Sequence, residues 1–231
     1  MTEPIVGVIG GMGPEATIEL MQRVLAKTPA VDDQDHIHMV VDNNPKVPSR
    51  IKALLEGAGE NPTPVLVAMA QRLEQAGANF LVIPCNTAHY YWPAINASVA
   101  IPVWHLVDLT LKFVKKLQPR TQQTVGLLAS PALEKIGLYQ TWCDKHGLSL
   151  IYPTEEEKQL EVIHAVKRGL HNANDIATLN ALAAELVQAG ADVIVLGCTE
   201  FSILQKNIDA SVPIIDALDV LADGILTACK G

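Results

Sequence analysis

The chain has 231 residues, of which 49% are hydrophobic and 18% charged. That length and balance suffice for two small lobes or one large α/β domain, and they exclude a disordered protein. A formal net charge of −8 and a pI of about 5.3 argue against nucleic acid or an anionic membrane as partner. No basic segment precedes the first short apolar run, and no apolar run approaches the ~18 residues of a membrane span, so a cytoplasmic protein without a signal peptide is expected.

In chain order, Ile5-Val6-Gly7-Val8-Ile9 reads as a buried strand, followed by a Gly10-Gly11-Met12-Gly13-Pro14 turn and a helix over residues 15–27. Residues 36–42 read as a second strand. Residues 62–75 read as a helix, with Val65, Met69, Leu73 and Ala76 recurring at helical spacing. A strand over residues 80–84, a helix after Cys85 and a strand at Ile101-Pro102-Val103-Trp104 complete the first half. The second half repeats this order. Residues 124–129 parallel the opening strand, with Gly126 matching Gly7. A helix, a strand over residues 148–152 and helices over residues 154–168 and 174–188 follow. Next come a strand ending at Gly197, then Val212-Pro213-Ile214-Ile215 matching residues 101–104, and a closing helix that reaches Cys229.

Short strands alternating with helices predict parallel sheets covered on both faces. The expected architecture is α/β: two similar Rossmann-like lobes related by a pseudo-twofold axis, with the active site in the interlobe cleft. One lobe takes residues 1–105 plus 212–231 and carries Cys85; the other takes residues 106–211 and carries Cys198. The final helix is expected to pack back on the first lobe. Ligands of such sheets bind outside the carboxyl ends of the strands, where the turns after Ile9, Pro84 and Gly197 fall.

An internal copy sharpens this picture. Leu73-Glu74-Gln75-Ala76-Gly77-Ala78-Asn79-Phe80-Leu81-Val82-Ile83-Pro84-Cys85 aligns with Leu186-Val187-Gln188-Ala189-Gly190-Ala191-Asp192-Val193-Ile194-Val195-Leu196-Gly197-Cys198, an offset of 113 residues (198 − 85). Each copy is a helix end, a tight turn, a buried strand and a cysteine. Two equivalent thiols at two equivalent strand ends suit a pair of acid/base groups that move a proton between the two faces of one carbon. A helix N-terminus after each cysteine would lower the thiol pKa. The competing reading is two buried structural cysteines.

Asn86, Thr87 and Thr199 follow the thiols and could hold a carboxylate, cap the next helix, or do both. The Gly10-Gly11-Met12-Gly13 turn could receive an anion on backbone N–H groups. It is not the G-x-G-x-x-G of a dinucleotide site, and no G-K-[ST] marks a P-loop. None of the four cysteines forms a C-x-x-C pair, so no zinc or dithiol redox motif is present and no metal is expected. Cys143 and Cys229 read as packing residues. His89, His105, Asp42, Asp108 and Asp216 read as structural groups, with a supporting role at the site as the alternative. Glu155-Glu156-Glu157 reads as a solvated first helical turn.

Four pieces carry a resemblance: Gly10-Gly11-Met12-Gly13-Pro14-Glu15-Ala16-Thr17, Asn44-Pro45-Lys46-Val47-Pro48-Ser49-Arg50, Pro84-Cys85-Asn86-Thr87-Ala88-His89 and Gly197-Cys198-Thr199-Glu200. In order and over nearly the whole chain, they resemble the aspartate/glutamate racemase family, whose members use no pyridoxal phosphate. Thr199-Glu200 resembles the aspartate racemase branch. The resemblance implies a cofactor-independent racemase of aspartate or glutamate, with Cys85 and Cys198 as the two bases. It further implies Met12, Gly13, Asn86, Thr87 and Thr199 around the substrate α-carboxylate, and Arg50 and Lys167 at its side-chain carboxylate. By the same analogy the partners are a small amino acid and a second copy in a homodimer. One stretch departs from the family: Ala129-Ser130-Pro131-Ala132-Leu133 stands where A-T-x-G-T is expected, so Ser130 supplies one hydroxyl and the second is missing. That departure keeps other readings open. These are a broad-specificity amino-acid racemase, a hydantoin racemase or maleate isomerase on the same fold, a non-catalytic binding protein for an acidic amino acid, and a thiol redox protein.

Overall fold

The computed structural model describes residues 3–56, 59–117 and 123–231. They divide into two compact units, Met1–Leu106 with Leu218–Gly231, and Val107–Ala217.

The first unit begins with β1 (Val6–Gly10) and α1 (Pro14–Lys27). Gly13 supplies the extended cap, Pro14 the first helical residue, Glu15 the acidic first turn and Lys27 the basic last one. Ala16, Leu20 and Val24, four apart, bury one stripe. β2 (Met39–Asn43), α2 (Thr63–Gln75) and β3 (Phe80–Val82) come next, and then, after a 3₁₀ turn over Thr87–Tyr91, α3 (Trp92–Ala97). The sheet is parallel with order β2-β1-β3.

The second unit takes up α4 (Leu106–Leu117), β4 (Thr124–Leu128), α5 (Pro131–Lys135), α6 (Leu138–His146), β5 (Ser149–Ile151), α7 (Glu156–Lys167) and α8 (Ala173–Gln188). β6 (Val193–Leu196), α9 (Thr199–Ile203) and β7 (Ile214–Asp216) complete it, and α10 (Ala217–Lys230) returns to the first unit. Its sheet is parallel with order β5-β4-β6-β7. The α/β class with two parallel sheets therefore stands as expected.

The duplication is physical as well as sequential. In both copies the helix closes by the same backbone bonds: Ala78 N–H to Leu73 O at 3.1 Å with Gly77 N–H to Glu74 O at 3.0 Å, and Ala191 N–H to Leu186 O with Gly190 N–H to Val187 O, both at 3.0 Å. Gly77 and Gly190 take φ of 92° and 95°, the left-handed region that this helix ending requires. Asn79 and Asp192 then clamp the neighbouring strand. Asn79 N–H donates to Ile5 O at 2.8 Å while Ile5 N–H donates back to Asn79 Oδ1 at 2.7 Å; Asp192 and Thr124 repeat the exchange at 2.8 Å in both directions. Gly7 and Gly126 let the helix end approach the sheet. A Cβ on Gly7 would lie 2.9 Å from Ala78 Cβ, and one on Gly126 would lie 3.0 Å from Ala191 Cβ.

Three expectations change. Residues 212–217 belong to the second unit rather than the first lobe, because β7 pairs with β6 from Ile194↔Ile214 to Leu196↔Asp216. The strand expected at residues 101–104 is a single bridge, Leu81↔Val103. Pro102 has no N–H to extend the ladder, and the chain enters α4 at Leu106. α4 itself has no counterpart among the expected elements. Its Val107, Leu111 and Val114 pack under β4 and β6 with Tyr139 and Cys143. The final helix packs on the first unit as expected. Arg23 and Lys27 of α1 reach Asp219 at 3.3 Å, Lys27 reaches Asp223 at 2.7 Å, and Gly224 lies over the Trp104 ring.

Because both glycines sit against fixed Cβ atoms, Gly7→Ala and Gly126→Ala should each destabilise the chain by about 1–3 kcal/mol. Gly7→Ala should cost more, since its Cβ would also come within 2.4 Å of Leu81 Cδ2. Urea denaturation checks this; two variants as stable as the parent would refute the close-approach account.

Candidate functional site

In the first unit three turns meet at the carboxyl edge of the sheet. After β1, Gly11 takes φ +89°, and a Cβ there would lie 2.3 Å from the Asn44 carbonyl carbon. The Gly11 N–H donates to Thr17 Oγ1 at 2.9 Å, and Asn44 N–H donates to Gly10 O at 3.4 Å. The turns after β1 and β2 are thus tied to each other and to α1. Met12 and Val47, one from each turn, share a buried cluster with Cys85, which follows β3. Gly13 caps α1 through its backbone alone.

Cys85 is buried, with Sγ 3.7 Å from Thr87 Oγ1. Its carbonyl oxygen lies 2.9 Å from His89 Nδ1. The Leu106 N–H donates to His89 Nε2 at 3.0 Å, so Nε2 carries no proton and Nδ1–H donates to the Cys85 carbonyl. Burial depresses the imidazole pKa to about 4, against the favourable backbone bonds, and the ring is neutral at pH 7. Asn86 is buried next to Cys85. Arg50, after β2, donates from Nη1 to Pro48 O at 3.2 Å. Among the described residues Arg50 has no carboxylate partner, and its Nε is buried without a hydrogen bond. Burial raises the Tyr91 pKa, and the Arg50 charge opposes that rise.

In the second unit Ser130 follows β4 and caps α5, its Oγ accepting from Ala132 N–H at 3.4 Å. Cys198 follows β6 and is buried, as is Thr199, the first residue of α9. The Cys198 S–H donates to Glu200 Oε2 at 2.9 Å, and Glu200 Oε1 lies 3.5 Å from Lys167 Nζ at the end of α7. Burial pushes the Cys198 thiol well above its usual pKa, and the Glu200 charge and hydrogen bond add to this while Lys167 opposes it. Behind the cysteine, Ser202 Oγ donates to Asp216 Oδ1 at 2.6 Å and lies 3.5 Å from the Cys198 carbonyl.

The structure gathers Met12 and Cys85 in one cluster, with Thr87 against the thiol, and gathers Cys198, Glu200 and Lys167 in one chain of contacts. Several expectations are revised. The thiol-lowering helix N-terminus does not govern Cys198, where burial and a carboxylate raise the pKa. Cys85 leads into a 3₁₀ turn without a side-chain capping bond, and α9 likewise lacks one, so Asn86, Thr87 and Thr199 are not side-chain caps. Lys167 at the end of α7 lies beside Glu200 and is partly exposed. Glu200 and Ser202 were not expected beside the thiol, whereas Asp216 was weighed as a supporting group. The 113-residue offset held the signal, because it sets Glu200 opposite Thr87 and Ser202 opposite His89. Among the described residues no group of three or more His, Cys, Asp or Glu side chains is placed to hold a metal ion, and no helix is long and apolar enough to cross a membrane.

Two α/β units, each with a buried thiol at the carboxyl edge of its sheet, define a duplicated protein with one cysteine in the matching place of each half. Comparison with known proteins gives this class an identity. The Asp/Glu/hydantoin racemase family pattern matches residues 9–225. The broad specificity amino-acid racemase RacX of Bacillus subtilis (strain 168) is 26% identical over 223 residues, covering 94% of this chain and 95% of RacX. A glutamate racemase of Shewanella sp. (strain MR-7) is 28% identical over 166 residues, covering 68% of this chain and 58% of that protein. The structure of Picrophilus torridus aspartate racemase superimposes with a TM-score of 0.82 at 27% identity, covering 98% of this chain and 94% of that one. The chain belongs to the Asp/Glu/hydantoin racemase family and is an isomerase, a racemase acting on amino acids.

The depressed His89 pKa couples folding to acid. Above the unfolded imidazole value of ~6.5 the stability is intact. As pH falls, the unfolded chain binds a proton that the folded chain refuses until about pH 4. This group should therefore remove about 3 kcal/mol between pH 7 and pH 4. Denaturant titrations across that range should show the loss, and His89→Asn should flatten it; an unchanged slope in the variant would refute the assignment.

Proposed function

We propose that the chain racemises aspartate or glutamate without a cofactor, through two-base proton transfer by Cys85 and Cys198. The observation that carries this reading is the duplicated placement of one buried thiol at the carboxyl edge of each sheet, in a chain similar over almost its full length to amino-acid racemases. In one direction the Cys85 thiolate takes the α-proton and becomes a thiol. The Cys198 thiol gives its proton to the other face of the α-carbon and becomes a thiolate. The two cysteines have then exchanged protonation states, and the next substrate of opposite hand resets them. The reaction requires that the sulfurs reach opposite faces of one carbon. The charge that develops on the α-carboxylate needs preorganised donors; Met12, Gly13, Asn86, Thr87 and Thr199 are the groups assigned to it, and Ser130 supplies a hydroxyl of the pocket wall.

Arg50 is the cation assigned to the side-chain carboxylate. It has no carboxylate partner among the described residues, and its guanidinium fork suits bidentate pairing. A broader substrate range is the second reading. It is favoured by the engagement of Lys167 with Glu200, which leaves fewer free charges for an acidic substrate, and by the Ser130-Pro131-Ala132-Leu133 departure. RacX, similar over 95% of its length, is a broad specificity enzyme. A cytoplasmic location and a homodimer belong to the same proposal.

Incubation of acidic, amide and small amino acids in deuterium oxide tests the function. The enantiomer produced should carry deuterium at Cα. Cys85→Ala and Cys198→Ala should each reduce racemisation in both directions by at least about a hundredfold. A variant of either cysteine that racemises at the parent rate removes the two-base mechanism. Arg50→Ala should lower kcat/KM for aspartate by at least about tenfold more than for alanine or homoserine, the scale of one charge-assisted hydrogen bond. Equal losses on all substrates would instead favour the broad-range reading.

A further inference from the structure

The chain passes from the first unit to the second after Leu106 and returns after Ala217. Both passages fall one residue into a helix, since Leu106 opens α4 and Ala217 opens α10. An offset of 111 residues (217 − 106) matches the two passages and sets Pro102 against Pro213 and His105 against Asp216. In each half the segment at the passage is bonded to the residue four positions after the cysteine. In the first half Leu106 N–H donates to His89 Nε2 at 3.0 Å, and His89 Nδ1–H donates to the Cys85 carbonyl at 2.9 Å. The His105 ring lies 4.9 Å from the His89 ring. In the second half Ser202 Oγ donates to Asp216 Oδ1 at 2.6 Å, and Ser202 N–H donates to the Cys198 carbonyl at 3.2 Å. All of these residues are buried. We infer that His89 and Ser202 are positioning residues that tether each cysteine to the segment where the chain leaves that cysteine's own unit. Their role in the reaction rests on the two-base reading above.

Holding a cysteine carbonyl fixes ψ at that residue, and with it the direction of Cα–Cβ relative to the chain beyond. Proton transfer at one carbon depends on that direction, because a misplacement of about 1 Å can cost on the order of a hundredfold in rate. A neutral imidazole offers one donor and one acceptor on a rigid ring, so His89 can hold the Cys85 carbonyl and Leu106 N–H at once. The second half divides the same work. The backbone N–H groups of Phe201 and Ser202 hold the Cys198 carbonyl at 2.9 and 3.2 Å. The Ser202 hydroxyl then anchors α9 to Asp216, the last residue of β7, which is itself paired to β6. Satisfying a buried imidazole or hydroxyl needs only some partner. In both halves the partner is the residue at the passage, although the side chains that reach it are unrelated.

Amide variants separate the two bonds of His89. His89→Asn keeps a donor near the Nδ1 position for the Cys85 carbonyl, and its side chain ends short of Leu106. His89→Gln reaches Leu106 with its amide oxygen and gives up the Cys85 carbonyl. Ser202→Ala breaks the bond to Asp216, and Ser202→Thr keeps a hydroxyl there. Iodoacetamide alkylation of Cys85 and Cys198 in one sample is followed by peptide mass spectrometry, so each thiol is the control for the other. Both His89 variants should raise the Cys85 rate relative to Cys198 by about tenfold, the effect of one buried hydrogen bond on a local opening equilibrium. Ser202→Ala should raise Cys198 relative to Cys85 by a similar factor, and Ser202→Thr should restore the parent ratio. Deuterium exchange at the Leu106 amide should quicken in His89→Asn. In racemisation, His89→Asn should lower kcat by at least about tenfold with KM little changed. A histidine that only held the Cys85 carbonyl would leave His89→Asn at the parent ratio. That result, the parent ratio in Ser202→Ala, or equal changes at both thiols would overturn the inference. If the ratios shift but no amino acid gains α-deuterium, the tethers stand and the proposed reaction falls.

Discussion

The reciprocal backbone clamp between the cysteine-bearing strand and its central neighbour fixes everything downstream. Asn79 with Ile5, and Asp192 with Thr124, each exchange two hydrogen bonds between 2.7 and 2.8 Å. Each clamp sits one residue before the strand that leads to a cysteine. A slip of one residue in a strand turns every side chain to the other face of the sheet. The clamp forbids that slip, because the side chain of Asn79 or Asp192 must accept where its own N–H donates. The glycine helix ending just before it sets the direction from which the chain arrives. From these two constraints the strand runs fully buried and delivers its thiol to the carboxyl edge.

This explains why so much of the fold is legible in the chain and why some of it is not. Gly77 and Gly190 declare a left-handed turn, Gly7 and Gly126 declare a close approach, and the copy at 113 residues declares the rest by analogy. Local chemistry writes those features, so local sequence reveals them. β7 is different. Its allegiance depends on which edge accepts it, and the hydrogen bond from Ile194 N–H to Pro213 O is a long-range fact. α4 is hidden for a related reason. Its sequence carries lysines beside its apolar positions, and only the packing of Val107, Leu111 and Val114 under β4 and β6 shows which face is buried.

The candidate site divides along the same line. The identity of the two cysteines is legible because duplication repeats them. Their surroundings are not, because the duplicated positions have diverged in residue type while keeping their geometry. His89 and Ser202, both four residues after a cysteine, lie against that cysteine's carbonyl. One is held by a backbone N–H and the other by a buried aspartate. The shared task is to hold the backbone just beyond the thiol; the solutions are chemically unrelated. A pattern search for one would miss the other.

Divergence at the next layer inward has a different meaning. A carbonyl can be held by any good donor, and His89 and Ser202 each supply one. The groups that touch sulfur set how readily each thiol yields a proton, and here Thr87 and Glu200 differ in charge, not merely in shape. A reaction that exchanges two mirror-image substrates needs no electronic symmetry in the enzyme, since its equilibrium constant is fixed by the substrates. The halves are therefore free to differ, with one thiol beside a carboxylate and the other beside a hydroxyl. Duplication repeated the placement of the thiols, and the residues two positions beyond each cysteine are where the two copies part in charge.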